Sequence, residues 1–396
     1  MTIENQQPLT KTKLLLIAGG SFFTVCLTAF ALVNIVFPSL HSLNNKSNDK
    51  KHPHEGLFIV KQDGKYGYID NKGKVIINPQ FNEIYSEFTE GLASVKIGDK
   101  YGYIDKSGKI VINPQFDYAS SKFSEGLALV KMSDKYGYID KSGKIVINPQ
   151  FDDASSEFSE GLASVKMGDK YGYIDKSGKI VINPQFDYAR SKFSEGLASV
   201  KMGDKYGYID KSGKIVINPQ FEYTSSEFSE GLALVKIGDK YGYIDKSGKI
   251  VINPQFDDAS SEFSEGLASV KMGDKYGYID KSGKIVINPQ FDSASSKFSE
   301  GLASVGIGDK YGYIDKSGKI VINPQFDYAR SEFSEGLASV RMGNKYGYID
   351  KSGKIVINPQ FDSASSEFSE GLASVTMGDK YGYIDKNGHY IWNPTN

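Results

Sequence analysis

The sequence is poor in the side chains that most often carry catalytic or metal-binding chemistry. Cysteine occurs once among 396 residues, as Cys26, which excludes both an internal disulfide and a thiolate metal cluster. Histidine occurs four times, and only His389 lies beyond residue 54. Imidazole chemistry is therefore nearly excluded, and we expect no metal site and no cofactor.

Neither sign of charge is in excess. The chain has 47 Lys and Arg against 48 Asp and Glu, a net charge of −1, whereas proteins that bind nucleic acid present a basic surface to the phosphates. We therefore expect no nucleic-acid partner. Tryptophan occurs once, but 26 Tyr, 23 Phe and 42 Gly are typical of strands and tight turns.

One long uncharged run lies near the N-terminus. All 24 residues from 14 to 37 are uncharged, and as a helix they would span the ~30 Å hydrocarbon core of a membrane. The run is longer than the ~7 to 15 apolar residues of a signal peptide. We predict an uncleaved transmembrane signal anchor at 14–37, after a cytoplasmic N-terminus at 1–13 and before a flexible linker at 38–54.

Other interpretations of this run stay open. Ala29 to Ala31 resembles a signal cleavage site, and Cys26 would suit a lipoprotein if a smaller residue than Val25 preceded it. The lysines nearest the run favour an N-terminus in the cytoplasm. The prediction is a single-pass membrane protein whose remaining chain is extracytoplasmic, in the periplasm or at the cell surface.

Residues 55–396 form a tandem repeat with a period of 35 residues. The pentapeptide YGYID begins ten times, at Tyr66, Tyr101, Tyr136, Tyr171, Tyr206, Tyr241, Tyr276, Tyr311, Tyr346 and Tyr381. Regular self-similarity at such a period is the signature of repeat architectures. We therefore predict a single repeat domain of ten units.

Each unit is predicted to be a three-stranded β-meander. In the copy at residues 90–124, Gly98-Asp99 is a two-residue hairpin turn, and Asp105 to Gly108 is a turn that places Ile104 beside Ile110 and Gly102 beside Ile112. Asn113-Pro114 is expected to end the third strand. The sheet then has an apolar face, including Ile97 and Ile110, and a tyrosine-rich face.

Such a sheet cannot bury itself alone, so the copies are expected to stack face to back, with Phe116 and Phe123 of each linker between them. Ten three-stranded units exceed the ~4 to 8 four-stranded blades usual in propellers, and the array contains whole meanders with no split blade. We predict an all-β, open superhelical (solenoid) stack. A closed β-propeller is the alternative.

The unit resembles the WG repeat, also called the KWG repeat, of bacterial proteins. The resemblance rests on KYGYIDKSGKIVINPQF and the following EGL, and it extends over residues 55–396. The Trp-Gly that names the family is Tyr-Gly in all ten copies, as at Tyr66-Gly67. The resemblance implies β-rich tandem repeats in membrane-attached or secreted proteins, without an established activity.

The recurring carboxylates do not indicate an enzyme or a calcium site. A catalytic pair copied about ten times with no distinguishing copy would be unusual, and Asp99 and Asp105 are better explained as turn residues. Lys100, Lys106 and Lys109 crowd the same turns, and the calcium-binding G-G-x-G-x-D repeat is absent. We therefore predict a protein that is not an enzyme.

Differences between copies concentrate in the linker between the two phenylalanines, and at the position of Lys96, which becomes Gly306, Arg341 and Thr376. Loops on one edge of a repeat scaffold commonly carry binding residues, although unselected drift would give the same pattern. The candidate partner contacts are Tyr118, Asp153, Tyr188, Arg190, Tyr223, Asp258, Tyr328 and Arg330.

The expected function is that of a non-enzymatic, membrane-anchored scaffold that binds a protein or an envelope component. One alternative is a module that binds glycans or cell-wall polysaccharide through exposed tyrosines. A second alternative is a passive spacer whose length follows the number of copies.

Overall fold

The chain is described here by a computed structural model that covers, within the unit Asn45–Asn396, residues 56–84, 87–189, 191–329, 331–365 and 367–395. The predicted segments 1–13, 14–37 and 38–54 lie outside the described residues, and so do Arg190 and Arg330. Across the ranges that are described, no helix is long and apolar enough to cross a membrane.

The described residues form ten antiparallel sheets, one for each repeat, which are called blades 1 to 10 below. Blades 1, 5 and 9 have three strands, and the other blades have four. The strands, grouped by blade, are β1 (Phe58–Gln62), β2 (Lys65–Ile69) and β3 (Val75–Phe81); β4 (Glu83–Ile84), β5 (Leu92–Ile97), β6 (Lys100–Asp105) and β7 (Ile110–Phe116); β8 (Tyr118–Ala119), β9 (Leu127–Met132), β10 (Lys135–Asp140) and β11 (Ile145–Phe151); β12 (Asp153–Ala154), β13 (Leu162–Met167), β14 (Lys170–Asp175) and β15 (Ile180–Phe186); β16 (Leu197–Met202), β17 (Lys205–Asp210) and β18 (Ile215–Phe221); β19 (Tyr223–Thr224), β20 (Leu232–Ile237), β21 (Lys240–Asp245) and β22 (Ile250–Phe256); β23 (Asp258–Ala259), β24 (Leu267–Met272), β25 (Lys275–Asp280) and β26 (Ile285–Phe291); β27 (Ser293–Ala294), β28 (Leu302–Ile307), β29 (Lys310–Asp315) and β30 (Ile320–Phe326); β31 (Leu337–Met342), β32 (Lys345–Asp350) and β33 (Ile355–Phe361); β34 (Ser363–Ala364), β35 (Ala373–Met377), β36 (Lys380–Ile384) and β37 (Tyr390–Thr395).

The predicted hairpin between the first two long strands is confirmed. In blade 2, Val95 lies opposite Gly102, and the turn glycine Gly98 has a φ of 60°, which suits the first position of a type II′ turn. The second turn follows Asp105, whose Oδ1 accepts hydrogen bonds from the backbone N of Ser107 at 2.9 Å and of Lys109 at 3.0 Å. The hairpin end of a blade is called the upper end below, and the Asp105 end the lower end.

The predicted course of the third strand is wrong. Ile110 does lie opposite Ile104, but Ile112 lies opposite Tyr103, not Gly102, and the strand continues through Pro114 to Phe116. The chain bulges over Gly102, where a Cβ would stand 2.4 Å from the carbonyl oxygen of Ile112. Pro114 is tolerated because this is the outer edge strand, which needs no further ladder hydrogen bond.

The assignment of Ile97 and Ile110 to a buried apolar face is also wrong. Their side chains are 38% and 40% exposed, because Ile97 adjoins the upper hairpin and Ile110 begins the outer edge strand.

The linker supplies a further strand that was not predicted. Tyr118 and Ala119 of β8 pair with Lys131 and Val130 of β9, so the linker that follows blade 2 adds an inner strand to blade 3. Most blades therefore have four strands and are not simple meanders. In blades 5 and 9 the same contact is a single bridge, such as that between Tyr188 and Lys201.

Adjacent blades pack face to back, as expected, around a repeated core. Leu92, Tyr103 and Ile112 of blade 2, with both linker phenylalanines, meet Ala128, Val130 and Ile139 of blade 3. The Tyr103 hydroxyl donates to the carbonyl oxygen of Ser120 at 2.7 Å, and its ring lies 5.0 Å from that of Phe123. The predicted position of the linker phenylalanines between neighbouring units is therefore confirmed.

Blade 10 packs on blade 1, so the predicted open stack is wrong and the fold is a ten-bladed β-propeller. Val60 and Ile69 of blade 1 contact Leu372 and Tyr383 of blade 10, as equivalent residues do between other blades. The Tyr383 ring lies 5.4 Å from that of Phe58, which replaces the alanine of the usual repeat. The ring is closed by these complementary faces, and among the described strands none is shared between the first and last blades.

Candidate binding surface around the central channel

The short inner strands and linkers surround a central channel. Equivalent linker positions of adjacent blades touch directly: the Ser124 Oγ donates to the carbonyl oxygen of Phe158, 34 residues later, at 2.8 Å. In a ring, equivalent positions of neighbouring blades come closest near the axis. A space of about 670 Å³ extends along this side of five successive linkers, from Ser159 to Lys297.

At the lower end of the channel, a glutamate joins most of the blades to the next one. Glu125 has a φ of 51°, uncommon for a residue with a side chain, and its Oε1 accepts from the backbone N of Gly161 at 3.2 Å. Its Oε2 lies 3.1 Å from the Nζ of Lys176. In the next blade, burial opposes ionisation of Glu160, but hydrogen bonds from Lys211 and Gly196 outweigh it and lower the pKa of that carboxyl.

At the upper end, an aspartate has the corresponding role. The Asp327 carboxylate accepts hydrogen bonds from Lys310 of blade 8 at 2.5 Å and from the backbone N of Gly343 of blade 9 at 2.6 Å. The hydrogen bond from Lys310 is the main reason that the pKa of Asp327 is lowered. These contacts recur between most blades, so these carboxylates hold the ring together.

Most of the carboxylates that the structure describes are engaged in structural hydrogen bonds. Among the described residues, no group of three or more His, Cys, Asp or Glu side chains is arranged to hold a metal ion. Asp105 and its equivalents accept hydrogen bonds from their own turn, and the upper and lower carboxylates bond to lysines and backbone amides of adjacent blades.

Six of the eight sequence-predicted contact residues are described, and these six lie on one ring at the upper mouth of the channel. The channel-mouth position, which is Tyr118 and its equivalents in other blades, holds the exposed Tyr118, Tyr188, Tyr223 and Tyr328 as well as Asp153 and Asp258. Arg190 and Arg330 follow two of these tyrosines in the chain and lie outside the described residues.

Comparison of the copies within the chain missed the residues that support the channel-mouth residues. Each channel-mouth tyrosine packs against the first tyrosine of a YGYID segment: the rings of Tyr118 and Tyr101 lie 6.1 Å apart. The Nζ of Lys96 lies 5.6 Å from the centre of the Tyr101 ring, at a distance typical of a cation–π contact. Variation at the Lys96 position was the one signal in the sequence that pointed to this support.

The two positions that vary most between copies are direct cross-strand partners. Tyr118 pairs with Lys131, Ser293 with Gly306, and Tyr328 with Arg341. Lys131 and its equivalents are called the partner position below. The Arg341 guanidinium lies 5.8 Å from the centre of the Tyr328 ring, so the two side chains of such a pair touch.

The fold and this surface define a closed, ten-bladed repeat propeller whose copies differ at the mouth of its channel. Nine consecutive segments match the WG containing repeat, at 66–101, 101–136, 136–171, 171–206, 206–241, 241–276, 276–311, 311–346 and 346–381. The chain belongs to this family, which confirms the resemblance seen in the sequence. The family's tryptophan position is held by the first YGYID tyrosine, which supports the channel mouth.

Several solved structures are similar over most of their length at low sequence identity. A eukaryotic initiation factor is 10% identical, with 77% of this chain and 96% of that chain covered and a TM-score of 0.49. AztD from Citrobacter koseri is 14% identical, with 75% and 94% covered and a TM-score of 0.33. Kluyveromyces lactis Hsv2 is 9% identical, with 64% and 89% covered and a TM-score of 0.32. No curated protein sequence matches the chain.

Acid is expected to destabilise the ring. The side-chain hydrogen bond from Ser177, followed by backbone amides, lowers the pKa of Asp175, and equivalent aspartates in other blades behave alike. A carboxyl with a lowered folded-state pKa stabilises the fold above its unfolded pKa of about 3.9, and this contribution is lost as the pH falls through the folded value. Thermal unfolding midpoints should stay level from about pH 7 to 5 and fall steeply below about pH 4.

The variant Asp175→Asn is the control, because it removes one such group. It should lose less stability between pH 5 and pH 3 than the parent chain. Equal midpoints for the parent chain at these two pH values would contradict the assignment.

Proposed function

We propose that this chain is a non-enzymatic binding propeller, anchored in a membrane by residues 14–37 and facing outward, which captures a protein or an envelope component at its upper channel mouth. The observation that carries the proposal is the pairing of the two variable positions. Other exposed sites vary as well, as between Ile97 and Met132, but the channel-mouth and partner positions each carry four residue types and face each other, as Ser293 and Gly306 do.

The physical character of this ring supports binding. Tyr188 and Tyr223 are 41% and 43% exposed, in contrast to the second YGYID tyrosines, such as Tyr208, which are completely buried. Tyrosine combines a large apolar ring with a polar end and loses little conformational entropy on binding, which makes it common in recognition surfaces. The lysines beside the first YGYID tyrosines add positive charge to the same surface.

A glycan or cell-wall polysaccharide is the second candidate for the captured component, because exposed tyrosines next to polar side chains can pack against sugar rings. A passive spacer loses its support, since a closed ring does not lengthen along one axis as copies are added.

The capture surface is tested by removing two neighbouring tyrosines. Tyr188→Ser with Tyr223→Ser introduces a residue that Ser293 and Ser363 already place at the channel mouth, so the fold should be kept. Full-length chain is passed over immobilised envelope polysaccharide and, separately, over immobilised envelope proteins. We expect retention on one of them, reduced about tenfold or more in the double variant.

The matched control is Ile215→Ser with Ile250→Ser, in the same two blades. These side chains are 38% and 40% exposed, but they lie on the outer edge strands, away from the channel. The control should be retained like the parent chain. Equal losses in both double variants, or no retention on either material, would count against the proposal.

The anchor and its orientation are tested by adding protease to intact cells. Digestion of the repeat domain without lysis is expected for an outward-facing chain. Digestion only after lysis would overturn this orientation.

A further inference from the structure

One first YGYID tyrosine differs from the others in its surroundings. In blades 2 to 9, each of these tyrosines lies between the channel-mouth residue of its own blade and that of the following blade. In these blades, every one except Tyr276 has a tyrosine in at least one of these two places. Tyr276 has Asp258 on one side and Ser293 on the other.

A groove opens at this point between blades 7 and 8. It encloses about 460 Å³ and is lined by Tyr276, Asp258, Ser260, Ser269 and Ser293, among others. The alanines beside it, Ala259 and Ala294, are partly exposed, whereas their equivalents next to a channel-mouth tyrosine are buried, at Ala119, Ala189 and Ala329. The space therefore includes the place that a tyrosine side chain occupies elsewhere in the ring.

The side chains that blade 8 carries at the channel mouth are also unusually small. The channel-mouth and partner positions of this blade are Ser293 and Gly306, where other blades carry pairs such as Tyr118 with Lys131. Ser269, at the bottom of the groove, is 7% exposed, the highest value among the equivalent serines of blades 2 to 9, which include Ser164 and Ser304. Ser293 thus reduces the side-chain volume at this groove, whereas Gly306 adjoins Tyr311, the first YGYID tyrosine of blade 8.

We infer that this groove binds a saccharide ring, with an apolar sugar face packed on Tyr276. The inference rests on the proposed function and names one chemical class for part of its surface. A pyranose has one apolar face and several hydroxyls, which matches an aromatic floor beside the exposed Asp258 carboxylate and the Ser293 hydroxyl. The Ser260 hydroxyl donates to the carbonyl oxygen of Glu262 and can still accept, and the Lys271 Nζ lies 5.5 Å from the centre of the Tyr276 ring, so the sugar packs on the part of the ring that this lysine leaves open.

The other polar groups of the groove favour a saccharide over a peptide as the ligand. Asp292 also lines the groove, but it is bonded to Lys275 and to the backbone N of Gly308 as an upper carboxylate. Asp258 accepts from the backbone N of Ala259 through Oδ1, so its Oδ2 is the acceptor for ligand hydroxyls, and the Glu332 carboxylate also lines the groove. A tyrosine side chain from a peptide would bring a single hydroxyl to a groove lined by several serines. A saccharide, which has several hydroxyls, can form hydrogen bonds with more of these serines.

The test fills the groove with the residue that other blades carry. Ser293→Tyr introduces the tyrosine found at Tyr118 and Tyr188, so the fold should be kept, and Ser363→Tyr makes the same change next to Tyr346, which already has Tyr328 beside it. Binding of cello-, chito- and malto-tetraose to the full-length chain is measured by calorimetry. At least one is expected to bind, with affinity about tenfold or more weaker in Ser293→Tyr and unchanged in Ser363→Tyr.

Three outcomes would overturn the inference: no tetraose binds, Ser293→Tyr binds as the parent chain does, or the peptide Gly-Tyr-Gly binds where the sugars do not. The outcome is independent of the capture experiment. If Tyr188→Ser with Tyr223→Ser leaves retention intact while Ser293→Tyr abolishes tetraose binding, the groove stands and the proposed tyrosine surface fails. If tetraose binding is absent while the double variant loses retention, the proposed tyrosine surface stands and the groove fails.

Discussion

Alanine in place of Gly172 is expected to lower the free energy of unfolding by about 3 kcal/mol, because the added methyl has no room. Its Cβ would lie 2.4 Å from the carbonyl oxygen of Ile182 and 2.7 Å from the backbone N of Pro184. Both atoms belong to the bulged edge strand of the same blade, so relief requires that strand to move away from its neighbour. The measurement is urea denaturation of the parent chain and the variant.

Gly306→Ala is the matched control. Gly306 is also a strand glycine without a positive φ, but the atoms nearest to an added Cβ are side-chain atoms of Ser293 and Tyr311 at 3.2 and 3.4 Å. Other copies carry Lys, Arg or Thr at this position. We expect a change within about 1 kcal/mol, and equal effects of the two substitutions would show that the bulge is not the constraint.

Aspartate in place of Val60 is expected to cost about 4 kcal/mol, as much as aspartate in place of Val235. Both side chains are completely buried, Val60 between blades 10 and 1 and Val235 between blades 5 and 6. In a closed ring both carboxylates would be enclosed without a partner. In an open stack Val60 would lie on the uncovered face of the first unit, where a carboxylate stays hydrated.

The comparison is made by thermal and urea unfolding of the two variants. Val181→Asp, on an outer edge strand where the valine is 40% exposed, should change stability by about 0.5 kcal/mol or less. A harmless Val60→Asp beside a damaging Val235→Asp would contradict ring closure.

The sequence was sufficient for the parts of the fold that depend on local rules. Gly98 sets a two-residue turn, so the pairing of Val95 with Gly102 followed from strand alternation. The third strand could not be placed in the same way, because the bulge opposite Gly102 interrupts the two-residue period. The inner strand was missed because Tyr118 and Ala119 are only two residues long and lack an apolar pattern.

Ring closure is not visible in a single repeat. It depends on a small rotation that is repeated from blade to blade, and on Phe58 and Trp392, whose size suits the contact between blades 10 and 1. Tyr390 and Trp392 indicated only that the last copy was atypical.

The candidate surface was partly predictable. Comparison of the copies identified Tyr118 and Asp258, because variation inside one chain needs no structural information. The groove at Tyr276 was not visible, since it depends on which residues of two successive blades flank one ring. Glu125 was also missed, because a residue with a long side chain is not expected at a φ of 51°.

The difference between the closing contact and the others bears on how the chain assembles. Faces that join head to tail close into a ring within one molecule or add further molecules end to end. Nine contacts share nearly the same apolar residues, so during folding a face of one blade matches many wrong neighbours. Phe58 replaces the usual alanine at the first face, and Trp392 replaces the usual isoleucine on the last, so this pair of faces differs from the nine internal pairs. These bulky side chains thereby favour the contact between the first and last faces over misaligned contacts with internal blades.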